Sequence, residues 1–299
     1  MSVNWDDLKV FLEVARTEKL SHAAKLLGID PSTVSRRLHR LEDNLATQLF
    51  DRSVEGHALT EHGRLLLQTA QAMDQGAQGA IDQLQGKNLE VEGLVRLGVT
   101  EAFGNAFIAP ELARFCQRQP KIAIDLLPLQ RFVKWSRHEV DIAITIEKPS
   151  HSSLIITKLC DYRLQLYASR RYLDRAPPIR RLEDLQQHPL IGYIDDLIFS
   201  DQLSYLERLL PGSRPTFRST SVITQQAATL ESLGVAILPC FLAREAPELV
   251  PILSEETSIL RTFWMAVQPE QKKLARVGVV WEHLKQYAAS NRALLMGSQ

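Results

Sequence analysis

The sequence predicts an all-α winged helix-turn-helix domain at the N-terminus, followed by an α/β domain made of two units with a cleft between them. Three observations carry this expectation. Leu20–Arg52 reads as helix, tight turn, helix and a short extended tail. Apolar and small residues from Leu66 to Leu84 recur at heptad spacing. From Leu94 onward, short apolar runs alternate with helical stretches, the pattern of a parallel sheet.

Taken in order, Leu8, Phe11, Leu12 and Ala15 repeat at three and four residues and predict a first helix over about Trp5–Thr17. Ser21 is a suitable N-cap for a short second helix, and Gly28 stands where a left-handed residue closes it. Asp30 then caps a third helix with Pro31 at its first position, where a missing N–H costs nothing. The pair is expected over about residues 20–39. Val34, Leu38, Leu41 and Leu45 form one apolar stripe of the third helix. Ser32, Thr33, Ser35, Arg36, Arg37, His39 and Arg40 lie off it. Hydroxyls and guanidiniums near a helix N-terminus suit a helix that enters the DNA major groove, since arginine forks onto guanine and the helix end favours phosphate. The plain alternative is a solvated charged face. Phe50–Ser53 and His57–Leu59, about a turn at Val54-Glu55-Gly56, read as a β-ribbon wing. Arg52 at its base either reaches a phosphate or the minor groove or pairs with Asp51 or Glu55. The expected DNA-contacting residues are thus Ser21, Pro31, Ser32, Thr33, Ser35, Arg36, Arg37, Arg40 and Arg52 in residues 1–60.

Thr60 is placed to cap a long helix over 61–86. Leu66, Ala70, Met73, Ala77, Ala80 and Leu84 follow at four, three, four, three and four residues. A seam of this kind needs a partner, and its alanines suit close approach of a second helix, so it is read as a dimer seam; packing onto the chain's own body is the alternative. A homodimer would offer two recognition helices to paired half-sites. The charged, apolar-poor stretch Gly86–Gly93 is expected to be a hinge, centred on 87–92.

Residues 93–299 then form the regulatory domain. Leu94–Val99, Ile122–Leu127 and Val140–Ile146 are strands. Asn105–Gln119, bent at Pro110, and Gln130–His138 are the helices between them. Leu159–Ala168 leads into a second unit with strands at Leu190–Ile194 and Val235–Leu238 and helices at Leu197–Leu210 and Val222–Ser232. Phe263–Val267 crosses back, and Leu274, Val277, Trp281 and Leu284 mark a closing helix. The expected division is subdomain I at 93–162 and 268–299 and subdomain II at 163–267. Ligands of open α/β sheets bind beyond the carboxyl ends of strands. That points to Thr100, Glu101 and Ala102 after the first strand, Thr145 late in the third, and Thr220 and Ser221 before the Val222 helix. Hydroxyls beside helix N-termini suit a carboxylate or another small anion, although Glu101 adds negative charge beside Thr100. Simple helix capping is the alternative role for each hydroxyl.

Ala23-Ala24, Val34-Ser35-Arg36, Arg40-Leu41-Glu42, Leu49-Phe50-Asp51-Arg52, Leu59-Thr60 and Gly63 fall in one register that resembles the N-terminal domain of LysR-type transcriptional regulators. Lys19 stands where a serine is common there, and Ala46 where glycine is usual. Leu94–Gly98, Val140–Ile144 and Leu233–Pro239 resemble the family's effector domain, related in fold to periplasmic binding proteins, with Ser232 in place of a usual glycine. The resemblance implies a dimeric or tetrameric, sequence-specific binder of double-stranded DNA. It implies modulation by a small-molecule effector in the cleft of the C-terminal domain.

Composition sets bounds on this reading. The chain has 299 residues, a formal net charge of +0 and 45% hydrophobic residues, so any basic footprint must be local. The first ten residues lack the basic head and apolar core of a signal peptide, and no apolar run approaches the roughly 20 residues of a membrane helix; the expectation is a cytoplasmic protein without membrane contact. There is no phosphate loop, no GxSxG and no metal-spaced His or Cys cluster, so neither enzymatic activity, a metal nor a cofactor is expected. A transported-solute binder would need an export signal. The remaining alternative is a redox sensor of the same family, without a small-molecule effector. It requires two cysteines placed to pair, which Cys160 and Cys240 are only if the fold brings their Cα atoms within about 7 Å; the default for Cys116, Cys160 and Cys240 is three inert buried thiols.

Overall fold

The computed structural model describes residues 4–53, 56–84, 91–129, 140–150 and 153–297. It separates into an N-terminal unit and a larger C-terminal unit, each with its own core.

In the N-terminal unit, α1 (Trp5–Thr17), α2 (Leu20–Leu27) and α3 (Pro31–Leu45) close around Phe11, Val14, Val34, Leu38 and Leu41, all buried. The apolar stripe of α3 thus faces inward as its spacing requires. Gly28 ends α2 in the left-handed region at φ 65°, and Pro31 opens α3. Ser21 is not the cap expected of it. Helix α2 begins two residues earlier, with Lys19 at the N-cap and no side-chain hydrogen bond there. Helix starts turn on local competition between neighbouring residues, and the exposed Ser21 lies inside the first turn.

Strands β1 (Phe50–Ser53) and β2 (Gly56–Leu59) pair antiparallel from Phe50↔Leu59 to Ser53↔Gly56. The expected turn residues Val54 and Glu55 lie outside the described residues. This ribbon is pinned from several sides. The Glu42 carboxylate accepts from the Leu49 amide at 2.8 Å and from the Phe50 amide at 3.4 Å. The His57 amide donates to the Glu18 carbonyl at 2.8 Å, and the Thr60 amide to the Leu49 carbonyl at 3.0 Å. Thr60 also caps α4 (Glu61–Leu84), its hydroxyl accepting from the Gly63 amide at 3.0 Å. A Cβ at Gly63 would stand 2.1 Å from the Leu49 carbonyl oxygen, so only glycine lets the helix pass that close to the ribbon.

Ala46 follows α3 at φ 49° and is its C-cap, with its amide reaching Asp43 and Glu42 carbonyls. A left-handed alanine is strained by about 1–2 kcal/mol, part of which a glycine returns as unfolded-chain entropy. Ala46→Gly is expected to stabilise the N-terminal unit by about 0.5–1 kcal/mol. Denaturant unfolding of the full chain, followed at amides of α1–α3 by hydrogen exchange, measures this; a loss of stability would refute it.

The C-terminal unit is one nine-stranded sheet. Its first half has β3 (Gly93–Thr100) parallel to both β4 (Ile122–Leu129) and β5 (Ile142–Thr145). After β3 the chain is helical from Glu101 to Arg118, as α5 (Glu101–Phe103), a π-turn over Gly104–Ile108, and α6 (Ala109–Arg118). The helix starts earlier than Asn105, and its irregular turn lies immediately before Pro110, whose missing N–H interrupts the ladder. Pro128 is tolerated because β4 is the sheet's edge. The expected helix Gln130–His138 lies outside the described residues, as does most of the 87–92 hinge.

Two long strands, β6 (Ile155–Ser169) and later β11, run antiparallel through the middle and belong to both halves. An expected boundary at 162/163 therefore falls inside a continuous strand. After α7 (Arg170–Leu173), the second half sets β7 (Leu190–Gly192) parallel to β8 (Phe217–Arg218) and β9 (Val235–Pro239). The expected helix Leu197–Leu210 is instead two single 3₁₀ turns, Asp195–Leu197 and Asp201–Leu203, followed by α8 (Tyr205–Leu209). Ser200 is the cause. Its hydroxyl accepts from the Gln202 amide and donates to the Glu147 carboxylate, holding it out of helical conformation. Helix α9 (Val222–Leu230) and α10 (Cys240–Ala243) flank β9. Then come β10 (Leu249–Ile252) beside β6, β11 (Ile259–Val267), α11 (Pro269–Lys272), α12 (Ala275–Ser290) and α13 (Arg292–Met296). Among the described residues no helix is long and apolar enough to cross a membrane.

Candidate nucleic-acid interface and candidate ligand cleft

The off-stripe face of α3 is presented outward. Pro31, Ser32, Arg36 and His39 are exposed, and Thr33, Ser35 and Arg37 half-buried. Among the described residues, the side chains of Arg36 and Arg37 carry no hydrogen bond or ion pair, so both guanidiniums keep their donors for a ligand. His39 Nδ1 is 2.7 Å from the Ser35 carbonyl, which draws the ring back along the helix.

Arg40 departs from the expectation. Its Nε donates to Asp7 Oδ2 at 2.7 Å and its Nη2 to Asp7 Oδ1, a two-pronged pair with a carboxylate fully buried at the start of α1. Asp7's hydrogen bond, and then its charge, hold the Arg40 guanidinium above its ordinary pKa. Arg40 is therefore a brace between α1 and α3, with its planar fork committed inward. Arg52 occupies β1 opposite His57, one pair from the turn end of the ribbon rather than at its base, because the pairing starts at Phe50↔Leu59. The acidic residues beside the basic face divide in the same way: Glu42 turns inward to the ribbon, whereas Asp43 and Asp51 are exposed.

The expected dimer seam is split. Leu66 and Ala70 pack into the N-terminal unit's own core, Ala70 fully buried. Met73 and Ala77 are exposed, and Leu65, one residue off the seam, is 67% exposed. Ala80 and Leu84 continue the same helix. Heptad spacing does not distinguish the intramolecular use of the first turns from an intermolecular use of the later ones.

In the C-terminal unit a cavity of about 280 Å³ opens where the parallel strands of both halves end. Thr100, Glu101 and Ala102 enter it from the end of β3, Ile146 from beyond β5, Tyr193 from beyond β7, Thr220 from beyond β8, Pro239 from the end of β9 and Phe241 from α10. This is the carboxyl-end location that open α/β sheets use for ligands. Two of the expected contacts are elsewhere. Thr145 donates to the Glu147 carbonyl at 2.6 Å and does not line the cavity. Ser221 accepts from the Thr224 amide at 3.2 Å as the N-cap of α9. Both hydroxyls are consumed by local capping. Thr100 caps its helix by backbone alone, which leaves its hydroxyl at the cavity.

The cavity's main wall is aromatic, which the sequence reading missed. Phe103, Phe263 and Tyr162 stack in layers, with ring centres 3.9 and 4.2 Å apart. Phe241 meets Phe103 edge-on at 5.5 Å, and Tyr193 meets Tyr205 edge-on at 5.9 Å. Tyr162 and Leu164 share one face of β6, and Phe263 reaches them from β11 beside a β-bulge at Phe263/Trp264, a device that re-aims side chains at sites. The signal available beforehand was the alternation of Tyr162, Leu164 and Leu166 along β6, but the facing strand could not be paired with it from local sequence. Burial pushes the Tyr193 hydroxyl up to about 12, with a hydrogen bond from Tyr205 opposing and the charge of Glu101 adding to the shift. Burial likewise raises Tyr162 and Tyr205. All three stay neutral phenols at physiological pH. Arg261 lies on the Phe263 face of β11, but its Nε and Nη1 donate to the carbonyls of Gln202 at 3.2 Å and Leu260 at 2.9 Å.

Comparison with known proteins gives matches to both units. A family model described as the LysR substrate binding domain matches residues 89–289, and one described as a bacterial regulatory helix-turn-helix protein of the lysR family matches residues 5–64. The transcriptional regulator PtxR of Pseudomonas aeruginosa is 30% identical over 249 residues, covering 81% of this chain and 79% of its own. The Mau operon transcriptional activator of Paracoccus denitrificans is 28% identical over 282 residues, covering 93% and 95%. Among solved structures, the fold is shared with CrgA of Neisseria meningitidis (TM-score 0.58, 24% identity, 96% of this chain and 99% of that one). It is shared also with a full-length OxyR variant of Pseudomonas aeruginosa (TM-score 0.75, 19% identity, 96% and 95%).

Proposed function

The chain belongs to the LysR family of bacterial transcriptional regulators, and from that premise we propose that α3 reads DNA while the cleft of the C-terminal unit binds a small effector that modulates promoter binding. The relatives it matches are named as transcription regulators, not as enzymes. The observation that carries the DNA reading is the exposed face of α3, where Arg36 and Arg37 hold unspent donors beside Ser32, Thr33 and Ser35 at the helix's N-terminal end. Such an end attracts phosphate, and a guanidinium one turn in reaches base edges. Pro31 and Ser21 are assigned to backbone phosphates, and Arg52, near the turn end of the wing, to the flanking groove. Arg40 is left out of this set, since it braces α1.

The exposed later seam residues Met73 and Ala77 support pairing of α4 with a second copy, which would bring two α3 helices to two half-sites; Ala80 and Leu84 continue the heptad spacing in the same helix. The protein acts in the cytoplasm, as a homodimer or a tetramer built from such dimers.

Selecting bound sequences from random duplex with the purified chain tests the DNA reading. Arg36→Ala is expected to weaken binding to the selected site by about 2 kcal/mol, roughly 30-fold, and to relax preference at one base position. Unchanged affinity and preference would remove Arg36 from the interface. The effector reading is tested by following the melting point and the DNA footprint against small metabolites; if no compound moves both, that reading fails.

The redox alternative is disfavoured by position. Cys240 opens α10 with its Sγ 3.4 Å from Gln165 Oε1, whereas Cys160 lies five residues from Gln165 along β6, roughly 16 Å at the rise of a strand. A disulfide needs Cα atoms within about 7 Å. Burial, and secondarily the charge of Asp161, push the Cys160 thiol up to about 12, the opposite of a reactive thiolate.

A further inference from the structure

We propose that the cleft selects a small ring-bearing molecule without negative charge, an aromatic amine or alcohol whose donor group is received by Glu101. The inference rests on the effector reading above and names the chemical class that reading leaves open.

The wall described above includes Phe103, Tyr162 and Phe263, stacked on one another, Phe241 edge-on to Phe103, and Tyr193 edge-on to Tyr205. Rings offer an aromatic ligand edge-to-face and stacked contacts, and they attract a cation through their faces. Among the described residues lining the cavity, the one acidic side chain is Glu101. Among the described residues no lysine or arginine lines it. Arg261, on the Phe263 face of β11, donates from two nitrogens to backbone carbonyls of its own surroundings.

The two helix starts at the cleft would ordinarily favour an anion. At α9 the Ser221 hydroxyl takes the Thr224 amide. At the segment that begins with α5, Glu101 itself occupies the first turn and supplies the negative charge that the helix dipole favours. A ligand carboxylate placed between them would meet a like charge in a site walled by hydrocarbon, where repulsion is weakly screened. An ammonium or hydroxyl meets an acceptor at Glu101, with the free hydroxyls of Thr100 and Thr220 completing its coordination. The cavity volume, about 280 Å³, admits a molecule of one or two rings.

Three probes of nearly the same shape test this on the full-length protein by titration calorimetry: phenethylamine, 2-phenylethanol and phenylacetate. The amine and the alcohol are expected to bind, and phenylacetate more weakly than the amine by about tenfold or more. Glu101→Gln is expected to bring the amine-to-acid ratio to about one while moving the alcohol by no more than about twofold. An unchanged ratio in that variant overturns the role of Glu101. Tightest binding by phenylacetate overturns the chemical class and leaves the cleft as a ligand site. Failure of all three to bind also overturns the class, and the footprint experiment then decides separately whether the cleft takes any effector.

Discussion

Phe103→Ala is expected to cost the C-terminal unit about 4 kcal/mol, the largest effect of any single change considered. Phe103 is fully buried, and its ring meets three others. It stacks on Phe263 at 3.9 Å and on Phe107 at 4.9 Å, and Phe241 closes on it edge-first at 5.5 Å. Truncation removes the transfer energy of the ring, leaves a void the stacked neighbours cannot fill without leaving their rotamers, and forfeits aromatic pair terms of about 0.5–1.5 kcal/mol each. The position also joins two functions. It stands three residues beyond the end of β3, so the residue that seals the core between β11 and α10 is also part of the cleft wall. The variant should therefore melt earlier in the C-terminal transition while the N-terminal unit unfolds unchanged, because the two cores are separate. Phe103→Leu, which keeps most of the volume, should lose less than half as much. A C-terminal transition displaced by under about 1 kcal/mol in the alanine variant would show that the stack is not what holds the wall.

How much of this was legible in the sequence depended on the distance over which the deciding contact acts. The start of α3 was readable because Asp30 and Pro31 are local signals, and the two parallel halves were readable because apolar runs alternate with helices. Arg40 was not, because its partner Asp7 belongs to another helix and an arginine on a polar face looks alike whether braced or idle. The 197–210 segment has helical composition, but Ser200 is held by Glu147 from a distant loop, and that tie overrides propensity. Leu66 and Ala70 fit a heptad equally well against their own domain. In the cleft, Thr100 and Thr220 were found from their place at strand ends, whereas the aromatic wall came from the pairing of β6 with β11, which no local pattern contains. Lys19 and Ala46 illustrate the reverse case. As departures from a family pattern they carried little meaning, but as an uncapped helix start and a left-handed alanine they are two places where stability was forgone.

Glu42→Ala is expected to destabilise the N-terminal unit by about 3 kcal/mol and to weaken DNA binding beyond the loss of stability. The residue looks like a surface acid at the end of a basic helix, yet it is only 7% exposed. Its carboxylate receives the amides of Leu49 and Phe50, at 2.8 and 3.4 Å, where the chain leaves α3 and enters the wing. Both of those residues are buried in the core, so the amides have no water to turn to once the acceptor is gone. A charged acceptor on a backbone donor is worth about 1.5–3 kcal/mol, and leaving a buried donor empty adds its desolvation cost. Glu42→Gln retains one acceptor oxygen and should fall between wild type and alanine. The consequence for function follows from what the bond connects. One end is the last turn of the helix offered to DNA, the other is the strand that carries Arg52, so the carboxylate sets the angle between helix and wing. Hydrogen exchange in the intact protein should show the Leu49 and Phe50 amides losing protection in Glu42→Ala while the amides of α1 and α2 keep most of theirs. If those two amides stay protected and affinity for the selected site is unchanged, the wing is held by Gly63, Thr60 and the Glu18 carbonyl alone, and Glu42 has no part in presenting it.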